Sequence, residues 1–361
     1  MTHKWAMHHN MLTVLAINGE ATIEEVNAAA MGGGKAVIFD PNFDPKNFSD
    51  VEKGEPLNSL ERRLLREGVV PVLLRVRDYI FAPDVGTDTR WVDYVSRFAP
   101  HNVACLSTDL HGSGDPSIIT ARGVYLGMLE AVKYNYGRDS LDGMVISIQG
   151  LGKVGSYLIR NIAENNSRVK LIITDTKQER VQEQLAYLKD KGIEVRYIPP
   201  EEIFTQKVDI FSPNAIGQIL SPENVRKMVA VNPENLIIAG AANNQLEDRI
   251  PNAREEVEEL FRQHGVLYAP DFTINLGGIH NLIYEFPRLK QLFGGYDQIV
   301  PLNRIRGVTL LLDDIFALSR KHTLSTQAVA EALAEGHIAR LALLRGIPRQ
   351  DIENGNYMRK S

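Results

Sequence analysis

The sequence predicts an α/β protein organised around a doubly wound, mostly parallel sheet, and three observations carry that prediction. A short apolar strand at residues 145–148 turns through glycines into helical spacing at Val154, Leu158 and Ile162. Further apolar strands recur at 170–174, 194–198, 209–211, 236–239 and 266–268, separated by stretches rich in Glu, Lys and Gln. Such alternation specifies parallel strands with helices on both faces. The length of 361 residues exceeds what one core usually serves, so a second, smaller α/β unit is expected. Its elements precede residue 119: a glycine-rich turn at 32–34, a strand at 36–39, a helix at 60–67 and a strand at 78–82. From Tyr296 the chain returns to helices, ending in an amphipathic one at 325–344.

Composition narrows the partners. The chain is 44% apolar and 24% charged, and its 40 basic and 45 acidic side chains are interspersed, for a net charge of −5. That balance excludes disorder and argues against a nucleic-acid partner. The longest apolar runs, 144–148 and 308–312, are too short to span a bilayer, and the first ten residues lack the apolar core of a secretion signal. The single cysteine, Cys105, makes no internal disulfide and no thiolate metal site. A cytoplasmic, membrane-free protein without a metal is expected, and His3, His8 and His9 read as an incidental cluster.

The turn after the 145–148 strand carries the clearest chemistry. Gly150, Gly152 and Gly155 match G-x-G-x-x-G, with Lys153 and Val154 inside the turn, and Asp175 follows at the end of the next strand. Strand, glycine turn, helix and a distal carboxylate together form a dinucleotide-binding pattern: glycines admit the pyrophosphate, the helix N-terminus offers N–H groups, and the acid accepts from the adenosine ribose. Asp175 would repel a 2′-phosphate and so favours NAD over NADP; Lys177, close by, weighs the other way. Two more segments place titratable groups on marked turns, Lys35 in GGGKAVI and Asp84 in APDVGT. Either fits acid/base chemistry, and either fits an ordinary loop lysine or a turn aspartate.

The order of these and further segments resembles the glutamate/leucine/phenylalanine/valine dehydrogenase superfamily. GSGDPSIITARGVYLG, QGLGKVGSYL, IITD, AGAANNQLEDR and YAPDFTINLGGIHN are similar to leucine dehydrogenase, and GGGKAVI with APDVGT match the family's catalytic lysine and aspartate segments. The resemblance implies a Rossmann-type domain at 119–295, a shortened substrate domain at 1–118, and C-terminal helices at 296–361 packing back toward the first domain. It implies Lys35 and Asp84 as catalytic groups. Thr120, Asn243 and Asn244 would lie at the nicotinamide end of the cofactor, and Ala82, Ile279 and Leu282 would line the side-chain pocket. MTHK resembles the family's MTYK and places the carboxylate-binding lysine at Lys4, further from Lys35 than the family's spacing. The activity implied is NAD-dependent oxidative deamination of an apolar, leucine-like L-amino acid by a homo-oligomer. The alternatives are a glutamate dehydrogenase and a catalytically impaired NAD-binding regulator.

Overall fold

The computed structural model describes residues 2–31, 48–49, 55–76, 79–84 and 87–344. The strand expected at 36–39 and Lys35 lie outside the described residues. Five helices come first: α1 (Thr2–Ile17), α2 (Ile23–Ala28), α3 (Ser59–Leu64), α4 (Val70–Arg75) and α5 (Thr89–Ser96). There follow α6 (Ser117–Tyr136), β1 (Val145–Gln149), α7 (Lys153–Asn165), β2 (Lys170–Thr174), α8 (Gln178–Asp190), β3 (Glu194–Tyr197) and β4 (Ile210–Pro213). Then come α9 (Pro222–Val231), β5 (Ile237–Ile238), α10 (Ala253–Gln263) and β6 (Leu267–Tyr268). The chain finishes with α11 (Asp271–Ile274), α12 (Gly277–Ile283), α13 (Pro287–Phe293), α14 (Ile299–Arg304), α15 (Gly307–His322) and α16 (Thr326–Leu344).

The six strands form one parallel sheet in the order β3-β2-β1-β4-β5-β6. The order in which the chain adds strands reverses at β1, which has β2 on one side and β4 on the other. In sheets of this order ligands bind beyond the carboxyl ends of the strands at that reversal. The apolar side chains alternate between two cores, as the two-residue period of a strand requires. Leu171, Ile173, Ile210 and Ile237 join the core that contains α6 and α7, while Ile172, Phe211 and Ile238 join the one under α9 and α10. Both faces are therefore covered, and β1 and β2 are buried throughout their middles. The regular parts of β5 and β6 span two residues each, fewer than the runs 236–239 and 266–268 suggest. Their ladder bonds nevertheless continue beyond those residues, with Leu267 N–H donating to Leu236 and Ala239 N–H to Phe211.

The first part of the chain has its own apolar cluster of Leu57, Leu65, Val70, Leu73, Phe81, Trp91, Val92 and Val95. The helix expected at 60–67 is longer than its spacing suggests. It runs from Ser59 through a wide π turn at Leu65–Val69 into α4. Pro71 supplies the reason, because it donates no N–H and its ring crowds the carbonyl four residues back, which an extra residue in the turn relieves. The strand expected at 78–82 is reduced, among the described residues, to one parallel bridge from Phe81 to Val103. Helix α1 does not join that cluster. It buries Trp5, Met7, Met11, Leu12 and Leu15 against α11, α15 and α16. Among the described residues no helix is long and apolar enough to cross a membrane.

Candidate active site

The glycine turn follows directly from the end of β1. Gly150 stands at φ 92°, where a side chain is strained, and a Cβ there would lie 2.8 Å from Ala215 after β4. Gly155 faces the turn from α7 so closely that a Cβ would lie 2.0 Å from the Gly150 carbonyl. At Gly152, by contrast, a Cβ would meet nothing nearer than an Arg180 guanidinium nitrogen at 3.8 Å. The first turn of α7 is thus open at one face and packed at the other, an arrangement that fits a pyrophosphate laid on free N–H groups. Asp175, buried at the end of β2, closes the turn: Leu151 N–H donates to its Oδ2 at 2.7 Å and Lys177 N–H to its Oδ1 at 2.8 Å. Lys153 points across the crevice and pairs with Asp115 at 3.4 Å, and Val154 packs half-buried beside the core. These residues fit a dinucleotide.

The second half of the site is assembled from distant segments. Beyond β5 the chain turns at Asn243 and Asn244, both exposed, and Asn244 adopts φ 52°. Its N–H donates to Asp271 Oδ2 at 2.8 Å, which fixes the turn from the start of α11. Asn243 Oδ1 accepts from Lys4 Nζ at 2.8 Å and from Asn275 Nδ2 at 3.1 Å. Burial pushes the Asp271 carboxyl above its usual range, and the Lys4 charge and the bond from Asn244 act in the opposite direction. Lys4, Asn243, Asn244 and Asp271 line one cavity of about 250 Å³ together with Arg254 and Glu331. Thr120, Asp84, Ile279 and Leu282 are not in its wall.

Thr120 lies in the first turn of α6, where its hydroxyl donates to the Pro116 carbonyl. It abuts the turn that opens α12, because a Cβ on Gly277 would lie 2.4 Å from the Ile119 carbonyl and one on Gly278 would lie 3.4 Å from Thr120 Oγ1. At Gly277 only a glycine permits this approach, and Ile279 and Leu282 follow it along α12. Both are buried, at 6% and 8% exposure, in the apolar cluster against which Ala82 also packs. Asp84 is exposed, and its N–H donates to Thr87 Oγ1 at 2.8 Å.

Three polar groups to which the motifs assign no role hold this half in place. Asp271 is one. Glu285, just after α12, accepts from the N–H groups of Cys105, Leu106 and Ser113, so the loop leading to α6 hangs from it. The third is an imidazole pair: His8 Nε2 and His280 Nδ1 share one proton across 2.9 Å, both rings fully buried. Burial holds both rings below the ordinary histidine range, His280 at about 3, so both are neutral. His9 meets His337 at 2.6 Å and His3 lies 3.7 Å from Glu335, so the N-terminal histidines are spent on three separate contacts. None of these pairings carries a sequence signal, since His8 and His280 stand 272 residues apart.

Comparison with known proteins identifies the family. Residues 168–288 match the family model described as glutamate/leucine/phenylalanine/valine dehydrogenase. The chain is 31% identical to leucine dehydrogenase of Bacillus subtilis (strain 168), over 94% of this chain and 85% of that one. It is 32% identical to L-tryptophan dehydrogenase of Nostoc punctiforme (strain ATCC 29133 / PCC 73102), over 85% and 75%. The crystal structure of L-tryptophan dehydrogenase from Nostoc punctiforme superposes with a TM-score of 0.59 at 30% identity, covering 78% of this chain and 73% of that chain. A Rossmann-type sheet with its glycine turn, in a chain this similar along most of its length, belongs to the glutamate/leucine/phenylalanine/valine dehydrogenase family, and the protein is an amino-acid dehydrogenase.

Proposed function

We propose that the chain oxidises an apolar, leucine-like L-amino acid to the 2-oxo acid and ammonia, with NAD as the hydride acceptor. One observation carries the substrate class: Ile279 and Leu282 are buried in one apolar cluster and Ala82 packs against it, and none of their side chains can donate a hydrogen bond. A γ-carboxylate placed against them would lose its hydration without a partner, at a cost of several kcal/mol. A leucine or valine side chain would gain about 25 cal/mol for each Å² it buries there. The curated relatives named for leucine, valine and tryptophan support the same class.

When bound, the nicotinamide supplies the redox chemistry. The chain's own groups then have distinct tasks. Lys4, beside Asn243, holds the α-carboxylate, and Thr120, Asn243 and Asn244 orient the ring. Lys35 polarises the developing oxygen as water adds to the imine. Asp84 carries protons to and from the departing amine, as a positioned carboxylate can. NAD is preferred because Asp175 presents a carboxylate at the ribose. The exposed Val72, Leu74 and Val76 of α4 and the residue after it support assembly as a homo-oligomer.

NADH formation with leucine, valine, phenylalanine, tryptophan and glutamate tests the reading. A branched or aromatic apolar substrate should lead in kcat/KM. Glutamate leading by tenfold or more overturns the apolar pocket, and NADH binding without turnover of any substrate assigns the chain to the regulatory alternative.

A further inference from the structure

Lys4 and the apolar pocket share no cavity wall. Lys4 lines the cavity beside Asn243, whereas Ile279 and Leu282 lie outside it, in α12. A substrate held by its carboxylate at one and by its side chain at the other must match a distance that neither part fixes alone. A pair of rings links the two. His8 stands four residues after Lys4 in α1, so both project from one face of that helix, about 6 Å apart along its axis. His280 stands between Ile279 and Leu282 in α12. Across 2.9 Å, His8 Nε2 and His280 Nδ1 join the two helices by a hydrogen bond.

Much of α1 is held in a different way. Met7, Met11, Leu12 and Leu15 sink into the apolar cluster shared with α15 and α16, and apolar burial is non-directional. The imidazole pair is directional and braced. Both rings are fully buried, and they meet edge to face with centroids 5.1 Å apart. Trp5 stands 5.6 Å from the His8 ring and Tyr284 stands 5.3 Å from the His280 ring. The Tyr284 hydroxyl in turn donates to Glu25 of α2 at 2.7 Å. Two imidazoles are a costly way to fill a core: among the described residues His8 Nδ1 finds no partner, whereas leucines would leave no polar atom to satisfy. What the rings add is a fixed register between α1 and α12.

We propose that His8 and His280 are positioning residues that set the distance from Lys4 to the apolar pocket, and with it the length of side chain the enzyme prefers. The assignment rests on the roles proposed above for Lys4, Ile279 and Leu282. The rings, shut away by burial, act only through the helices that carry them. Their bond holds α1 at one place along α12, so a substrate whose carboxylate rests on Lys4 presents its side chain to Ile279 and Leu282 at one depth. Without the bond α1 can shift, and side chains of different length are served more equally.

Values of kcat/KM for leucine, valine and phenylalanine, with NADH affinity from a fluorescence titration, test this in the full chain. The double variant His8→Leu, His280→Leu removes the bond and strands neither partner, an exchange that can be nearly neutral for stability. It should bind NADH as wild type does, while the spread in kcat/KM between the best and the worst of the three substrates shrinks fivefold or more. A mere loss of folded enzyme would lower all three alike and leave the spread unchanged. His8→Gln, whose amide nitrogen can stand where Nε2 stands, should keep the wild-type spread. A spread that shrinks less than fivefold in the double variant, or shrinks equally in His8→Gln, overturns the role of the pair and leaves the substrate reading standing. A wild-type spread below fivefold does the same, since there is then no length selection to set. Loss of NADH binding by the double variant also overturns it, by assigning the rings to the fold. Failure of wild type to turn over any of the three overturns the substrate reading and the proposal together.

Discussion

The glycine turn and the substrate end around α12 lie in one molecule but are constructed in opposite ways. The turn takes Gly150, Gly152, Gly155 and Asp175 from 26 consecutive residues, and its bonds run between neighbours in the sheet. The proposed substrate end draws on Lys4, Asp84, Thr120, Asn243 and Leu282 from five separate stretches, and buried polar groups such as Asp271 and Glu285 fix the turns nearby. One region is fixed by local backbone geometry. The other depends on every element that packs between its parts, so damage should spread differently in the two.

The sharpest division comes from Lys35. With Lys35→Ala, turnover should fall by about 10²–10⁴-fold, the usual share of a positioned acid/base group, while the NADH Kd stays nearly constant. A variant that keeps more than a tenth of wild-type activity removes Lys35 from the chemistry. Next comes Asp175→Ala, which strands the N–H groups of Leu151 and Lys177 as well as the ribose. Hydrogen bonds to a charged group contribute about 1.5–3 kcal/mol each, so NADH affinity should drop at least tenfold in a titration; an unchanged Kd would mean the turn holds its shape unaided.

Acid should act on the substrate end through stability. His8 and His280 are held neutral in the native state, with His280 at about 3, against about 6.5 when unfolded. The unfolded chain therefore binds more protons below pH 6.5, and stability falls as pH drops from there toward the native values. Between pH 6.5 and pH 5 the loss approaches about 1.6 kcal/mol for His280, and His8 adds a loss of the same sign. Urea midpoints at the two pH values measure it, and the double variant His8→Gln, His280→Gln should show a flatter dependence; an equally steep one would place the acid sensitivity elsewhere. The mildest change is Gly152→Ala. Its Cβ meets only Arg180 at 3.8 Å, so stability should move by no more than about 0.5 kcal/mol, yet NADH should bind more weakly because the pyrophosphate loses its approach. Loss of the fold instead would show that the open face of the turn is needed structurally.

The same contrast explains what could be read from residues alone. The β1-turn-α7-β2 unit was legible to within a residue, because period, glycine spacing and the distal carboxylate are all local signals. Its all-parallel neighbours β3 to β6 were legible in place, though the regular extents of β5 and β6 are shorter than their apolar runs. The helix at 60–67 was underestimated, because a π turn carries the chain past Glu67 and on into α4. At the substrate end the residue types could be named, but nothing in MTHKWAMHHN shows that His8 meets His280 or that Lys4 reaches Asn243. Asp271 was overlooked for a related cause, since it acts on a backbone turn that another segment supplies.

Glu285 bears on where the chain tolerates added length. Phe81 is bonded to the segment at 102–104 through two backbone hydrogen bonds, and the loop that follows is hung from Glu285 by three N–H donors. Asp84 is therefore spaced from α12 by a short, taut run of backbone with no slack in it. A residue inserted between 105 and 113 would shift that spacing and be felt at both ends. One inserted at 137–139, where the backbone is exposed and a Cβ on Gly137 would touch nothing, would bulge into solvent unnoticed. Within this fold the two loops are opposite in how much drift they permit.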